Sequence, residues 1–102
     1  MASEQFLQSS IIKLIEQDYN GYCVKIITGN KSGQPDLVCC IDSYFVGLEV
    51  KLPGTRDTLS ELQKAHLQLI KDSKGISAMV SSTDEVRAIL DDLLGIETEY
   101  EV

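Results

Sequence analysis

The chain has 102 residues, 43% of them hydrophobic and 25% charged, and its formal net charge is −7. This length and composition predict a single soluble globular domain over residues 1–102 and exclude a second hydrophobic core. No apolar run reaches the roughly 18 residues of a membrane span, and the N-terminus lacks the features of a secretory signal, so we expect an intracellular protein.

The first half of the chain predicts one helix and three strands. Ser3 can cap a helix that continues to about Asp18. Residues 22–28 are rich in strand-forming residue types and predict the first strand. Residues 37–41 and 44–50 predict two more strands, which can pair as a hairpin about the two residues between them.

The second half predicts a loop, a helix, a strand and a final helix. The first of these helices runs from about Leu59 to Ser73, a strand covers residues 76–81, and Thr83 caps a helix through about Leu94. The apolar stripe predicted for the helix over residues 59–73 consists of Leu59, Leu62, His66, Leu69 and Ile70.

The order of the predicted elements is therefore α-β-β-β-α-β-α, without a repeat or a linker. A strand–helix–strand connection favours a right-handed crossover between parallel strands. We expect an α/β fold in which a mixed central sheet is flanked by helices.

Two acids and a lysine form the most informative pattern. Glu49 and Lys51 share one face of their strand, opposite the apolar side chains, and the predicted hairpin brings Asp36 close to Glu49. Mg²⁺ prefers oxygen ligands and takes only one or two protein carboxylates. The pattern predicts a divalent-metal site for phosphodiester cleavage, with Lys51 beside the scissile phosphate; the alternative is ordinary surface alternation next to a turn.

Two helix residues are candidate additions to this site. Glu4 heads a helical line of positions 4, 7, 11, 14 and 18, so it can point toward the sheet or compensate the helix dipole. Gln63 lies at the edge of the predicted apolar stripe and can position Lys51 or a water molecule, or be a solvated helix residue. His66, the single histidine, is expected to be a packed or interfacial residue rather than a general base.

The charge distribution bears on substrate binding, because nucleic-acid-binding surfaces are usually basic. Seven acids lie between residue 84 and the C-terminus, where they form a solvated face or repel DNA from the back. The residues proposed as a basic rim that binds DNA are Lys25, Lys31, Arg56 and Lys64.

Three cysteines, Cys23, Cys39 and Cys40, lie in apolar runs without the spacing of a metal site. We expect them to be buried free thiols rather than a zinc site or a disulfide framework. Neighbouring strand residues point to opposite faces, so Cys39 and Cys40 cannot jointly bind one metal ion.

The motifs Gly33-Gln34-Pro35-Asp36 and Glu49-Val50-Lys51, followed by the helix opening at residues 59–63, resemble the VRR-NUC family of the PD-(D/E)xK superfamily, which has a restriction-endonuclease-like fold. The resemblance spans nearly the whole chain. Short members of the family look like phage and bacterial proteins, some of which are dimeric resolvases of branched DNA. The resemblance implies a cytoplasmic protein of a bacterial or phage-infected cell.

The resemblance also implies roles for individual residues. Asp36, Glu49 and the backbone carbonyl of Val50 would bind Mg²⁺ or Mn²⁺, and Glu4 would complete the metal shell through a water molecule. Lys51 and Gln63 would complete the catalytic set. The implied activity is Mg²⁺-dependent, structure-specific cleavage of DNA such as four-way (Holliday) junctions, by a homodimer.

Two other functions remain open at this point. One is a non-catalytic interaction domain whose acidic C-terminal half binds a basic partner or mimics DNA. The other is a nuclease that acts on RNA or on simple duplex DNA, because no base-reading element is apparent in the sequence.

Overall fold

The computed structural model of the protein describes residues 3–96 and confirms the predicted order of elements. The helices are α1 (Glu4–Asp18), α2 (Glu61–Asp72) and α3 (Thr83–Leu94), and the strands are β1 (Tyr22–Lys25), β2 (Leu37–Ile41), β3 (Tyr44–Val50) and β4 (Ile76–Val80). A short 3₁₀ helix, Pro53–Thr58, occupies the predicted loop between β3 and α2. None of the helices in this described part of the chain has the length and apolar character needed to cross a membrane.

The strands form one sheet in the order β1-β2-β3-β4. The pairs β1–β2 and β2–β3 are antiparallel and the pair β3–β4 is parallel, so the predicted mixed sheet is confirmed. The hairpin between β2 and β3 turns at Asp42 and Ser43, whose φ angles of 49° and 75° are the positive values that a tight two-residue turn requires. This turn sets the register in which Leu37 lies opposite Leu48.

Helices α1 and α3 cover one face of the sheet, and α2 covers the other. The main core lies on the first face and includes Ile11, Ile15, Leu37, Cys39, Ile41, Val46, Leu48, Val50, Val80, Val86 and Leu90. On the second face, the Ser77 hydroxyl donates a hydrogen bond of 2.6 Å to the Leu67 carbonyl of α2. Because strand residues alternate between faces, Glu49 points to the α2 side of the sheet.

β1 is shorter than predicted, because it ends at Lys25 rather than at residue 28. The Ile26 N–H still donates a hydrogen bond of 2.8 Å to the Asp36 carbonyl. Ile27 is 86% exposed, so the chain has left the sheet at that residue.

Helix α2 begins two residues later than predicted, at Glu61, because Ser60 is its N-cap. The Gln63 N–H donates to the Ser60 hydroxyl, and the Ser60 N–H donates to the Gln63 side-chain oxygen, at 3.1 and 2.9 Å. This reciprocal pair is a capping box, which satisfies two N–H groups that a helix start otherwise leaves unpaired.

The predicted apolar stripe of α2 is wrong in part. Leu62 and Leu69 are 49% and 58% exposed. The side chains that are buried or half-buried on this helix are Gln63, His66, Leu67 and Ile70. The spacing of that set is the i, i+3, i+4, i+7 pattern of one helix face, so Gln63 lies on the inner side of α2 rather than at its edge.

The last strand and helix also differ from the prediction by one residue each. β4 ends at Val80, and Ser82 rather than Thr83 caps α3, because its hydroxyl accepts a hydrogen bond of 3.1 Å from the Glu85 N–H. Two of the predicted C-terminal acids, Asp84 and Asp92, are exposed on α3. The acids at positions 97, 99 and 101 lie outside the described residues.

The expectation of buried thiols holds for two of the three cysteines. Cys23 and Cys39 lie opposite each other in the β1–β2 ladder and are buried against the core. Cys40 faces the other side of the sheet and is exposed, so the expectation is wrong for that residue. The alternation of strand side chains places Cys40 away from the core that covers Cys39.

Candidate metal-binding site

The ends of β2 and β3 bring two carboxylates together. Asp36 directly precedes β2, and Glu49 is the next-to-last residue of β3. Because Leu37 lies opposite Leu48, extending the ladder by one residue places Asp36 opposite Glu49. The Val50 N–H donates a hydrogen bond of 2.8 Å to Asp36 Oδ2 and holds that carboxylate at the end of the ladder.

Gln63 holds the second carboxylate from the N-terminus of α2. Its Nε2 donates a hydrogen bond of 3.1 Å to Glu49 Oε2. Its Oε1 already accepts the Ser60 N–H in the capping box, so both ends of the amide are engaged. The capping box at the start of α2 therefore also positions Glu49.

Burial dominates the electrostatics of Glu49, which is 3% exposed. Burial is the largest of the causes that raise the pKa of Glu49 to about 8, and the neighbouring Asp36 carboxylate raises it further. Lys51 lowers this pKa, and the charge of Glu4 raises it. Two ionised carboxylates this close repel each other, and a divalent cation between them removes the repulsion.

Glu4 and Lys51, on two different elements, act on Glu49 through their charges. Glu4 is the first residue of α1, where a negative charge also interacts favourably with the helix dipole, so both of its predicted roles remain compatible with its position. Lys51 is half-buried, and its backbone N–H donates a hydrogen bond of 3.0 Å to the Val80 carbonyl. Among residues 3–96, no ion pair within 4.0 Å includes the Lys51 ammonium, so its charge is available to a phosphate.

The donor set suits a hard cation that retains water. Within the described part of the chain, no three His, Cys, Asp or Glu side chains are grouped to hold a metal ion. Mg²⁺ keeps several waters and takes one or two protein carboxylates, which is the number that Asp36 and Glu49 provide. The Val50 carbonyl and a water molecule held by Glu4 are the further ligands expected from the sequence.

The four predicted DNA-binding residues have different surroundings. Arg56 donates two hydrogen bonds to the Glu85 carboxylate, at 2.9 and 3.0 Å, and Lys64 pairs with Glu61 at 3.0 Å. Lys25 and Lys31 are exposed, and neither forms an ion pair with another residue between positions 3 and 96. The unpaired positive charge of the predicted rim is therefore in the β1–β2 segment.

Two buried polar residues near the site were missed by the sequence analysis. Gln8, 6% exposed, lies one helical turn after Glu4, and its Oε1 has no hydrogen-bond partner among the described residues. Ser81, 7% exposed, follows β4 beside Lys51, and its hydroxyl also has no partner there. A spacing of four residues from Glu4 is the signal that identifies Gln8, because i and i+4 share one helix face.

The relationship of the chain to known families depends on its motifs alone. No protein-family model matches the chain, and no curated protein matches it closely enough to show a relationship. The resemblance to the VRR-NUC family therefore remains a prediction.

Proposed function

We propose that this protein is a Mg²⁺-dependent or Mn²⁺-dependent endonuclease that hydrolyses phosphodiester bonds of branched DNA, including four-way junctions. The observation that carries the proposal is the pair formed by the half-buried Asp36 and the buried Glu49, which are held by the Val50 N–H and by Gln63. Placing a second acid beside a buried one is unfavourable unless a positive ligand compensates them. Two acids placed in this way can bind a metal ion, and the positive charge of the adjacent Lys51 can bind a phosphate.

Each protein group has a separate task in the proposed reaction. A divalent cation bound at this site supplies a Lewis acid that activates water and stabilises negative charge on the phosphate. Asp36 and Glu49 are held in place by their hydrogen bonds, and Glu49 would lose its proton when the cation binds. Lys51 provides a positive charge for the scissile phosphate. Hydrolysis forms one P–O bond from water and breaks the P–O bond to the leaving oxygen.

We further propose that the enzyme is a homodimer that acts in the cytoplasm of a bacterial or phage-infected cell. A chain of 102 residues offers a small footprint to a branched DNA. A two-fold symmetric dimer presents two equivalent sites, which suits cleavage of two strands or two arms. Analytical ultracentrifugation tests this part: a monomer that retains full activity would contradict it.

A cleavage panel tests the proposed activity. End-labelled four-way junction, splayed-arm, duplex, single-stranded DNA and RNA are incubated with the protein and Mg²⁺. We expect cleavage of the branched DNA, and its loss in the Asp36→Ala and Glu49→Ala variants. Asp92→Ala is the matched control, because Asp92 is an exposed acid on α3.

Two outcomes would count against the proposal. Equal cleavage by wild type and both site variants would show that Asp36 and Glu49 do not form the active site. If only RNA is cleaved, and cleavage depends on the same two acids, the proposed site is correct but the proposed DNA substrate is wrong. If an alanine variant loses both its activity and its folded circular-dichroism spectrum, the experiment is repeated with Asp36→Asn and Glu49→Gln, which keep the size of the side chains.

A further inference from the structure

The segment from Tyr19 to Pro35 has a charge opposite to that of the whole chain. It contains no acid in a protein with 16 Asp and Glu residues, and its charged residues are Lys25 and Lys31. Both lysines are exposed, and neither forms an ion pair with a residue in the described range. A phosphate backbone is attracted to such a segment on an otherwise acidic protein.

Between these lysines, Ile27 projects into solvent. It is 86% exposed, the highest value of any large hydrophobic side chain among residues 3–96. The loop that carries Ile27 is packed on itself and on α2. The Gln34 side chain occupies the space that a side chain at position 29 would need, and a Cβ atom on Gly33 would lie 2.7 Å from Leu62 Cγ. An anchored loop therefore presents the isoleucine without burying it.

Ile27 is also close to the proposed metal site. The Ile26 N–H donates a hydrogen bond of 2.8 Å to the Asp36 carbonyl, so these two residues face each other at the end of the β1–β2 ladder. The Cα atoms of residues that face each other across a ladder are about 5.5 Å apart, and those of neighbours along the chain are about 3.8 Å apart. The Cα atoms of Ile27 and Asp36 are therefore within about 10 Å of each other. DNA advances about 3.4 Å per nucleotide, so this distance corresponds to about three nucleotides.

We propose that Ile27 is an apolar wedge that inserts between bases at the branch point of the DNA substrate, with Lys25 and Lys31 on the neighbouring phosphates. The proposal rests on the DNA-cleaving function proposed above and deepens it. Isoleucine is among the side chains that proteins insert between base steps, where they unstack the bases. The continuous stack of bases is already interrupted at a branch point, so unstacking costs less there and the wedge selects branch points over continuous duplex.

Binding measurements on Ile27→Ser test the wedge. The variant is made in a Glu49→Gln background, which prevents cleavage, and its dissociation constants for a four-way junction and for a duplex of the same sequence are compared. We expect the junction-to-duplex affinity ratio to fall about ten-fold, the amount expected when one large apolar side chain is no longer buried. Ile96→Ser is the matched control, because Ile96 is 48% exposed beyond the far end of α3.

A second readout reports on base unstacking. A 2-aminopurine at the branch point should become brighter when the Glu49→Gln protein binds, and this increase should be lost with Ile27→Ser added. Because Ile27 is 86% exposed, its replacement should leave the thermal unfolding temperature unchanged, which separates a binding effect from misfolding.

The outcomes separate the wedge from the nuclease activity. If wild type cleaves branched DNA through Asp36 but Ile27→Ser keeps both the affinity ratio and the fluorescence increase, the wedge is refuted and the nuclease proposal stands. An equal loss of affinity for junction and duplex would also refute the wedge. If wild type cleaves no DNA, both proposals fail.

Discussion

Replacing Glu49 by Gln tests the electrostatics of the site without DNA. The side chain keeps its size and its ability to accept the Gln63 hydrogen bond, and it loses its charge. In the folded protein the pKa of Glu49 is raised to about 8 by burial and by Asp36, from an ordinary value of 4.5. The folded state therefore binds this proton more tightly than the unfolded state does. Its contribution to stability is fully present below pH 4.5 and is lost as the pH rises toward 8.

The size of the effect follows from that difference in pKa. At 1.36 kcal/mol per pH unit, the free energy of unfolding of the wild type should decrease by roughly 3 to 5 kcal/mol across this range because of Glu49. Glu49→Gln cannot lose the proton, so its stability should exceed that of the wild type increasingly above pH 5. Added Mg²⁺ should stabilise the wild type more than the variant at pH 8, because a ligand that binds the folded state shifts the folding equilibrium.

Urea denaturation with EDTA at pH 5, 6, 7 and 8 measures the effect. The relevant quantity is the difference in unfolding free energy between Glu49→Gln and wild type at each pH, since titration of the groups that do not interact with Glu49 cancels in it. Glu16→Gln is the matched control, because Glu16 is exposed on α1, and it should show no such trend. A difference that stays constant from pH 5 to pH 8 would refute the assignment of Glu49 as a buried acid with a raised pKa.

Three further substitutions probe how the site is supported. Gln63→Ala should lower the free energy of unfolding by about 1–3 kcal/mol in urea denaturation, because it removes the side-chain half of the capping box and the hydrogen bond to the buried Glu49; the exposed Gln68→Ala should change it by less than about 0.5 kcal/mol. Gly47→Ala should cost about 1–3 kcal/mol, because the new methyl group would lie 2.8 Å from Ile70 Cδ1 of α2 and 3.1 Å from the ring of the buried Pro35, which cannot move aside easily; Gly54→Ala meets nothing within 4 Å, and equal stabilities of these two variants would contradict the packing described. Lys51→Ala should reduce the cleavage rate about 100-fold or more while Mn²⁺ binding, measured by calorimetry, is retained; an unchanged rate would exclude Lys51 from catalysis.

The strands near the site were predictable because simple rules govern them. Alternation along β3 places Glu49 and Lys51 on the face opposite Leu48, and the two-residue turn sets the pairing with β2. Those two rules suffice to bring Asp36 next to Glu49. The parallel β3–β4 pairing followed in the same way from the connection through α2.

The orientation of α2 was predicted only in part, because His66 and Ile70 of the predicted stripe lie on the inner face but the hydrophobic residues of this helix do not all face the sheet. Leu62 and Leu69 suggested one face, but they are exposed, and Leu67 is buried instead. The sequence Ser60-Glu61-Leu62-Gln63 has the spacing of a capping box, which gives the correct helix start and engages Gln63. Periodicity alone could not reveal that the same glutamine also reaches Glu49.

Contacts between elements distant in sequence required the structure. The hydrogen bond from the Val50 N–H to Asp36 depends on the relative positions of two strand ends. The pairing of Arg56 with Glu85 depends on how the 3₁₀ helix lies against α3, so a residue predicted to bind DNA is found in an ion pair. Neither contact leaves a periodic signal in the sequence.

The cleavage rate as a function of Mg²⁺ concentration tests most directly whether Asp36 and Glu49 form a metal-dependent nuclease site. Labelled four-way junction is cut under single-turnover conditions by wild type, Glu49→Gln and the control Glu16→Gln. We predict a rate that is zero in EDTA and saturates with Mg²⁺ for wild type and Glu16→Gln, and no cleavage by Glu49→Gln at any concentration. Cleavage by wild type in EDTA, or an equal rate for Glu49→Gln, would contradict the proposed site.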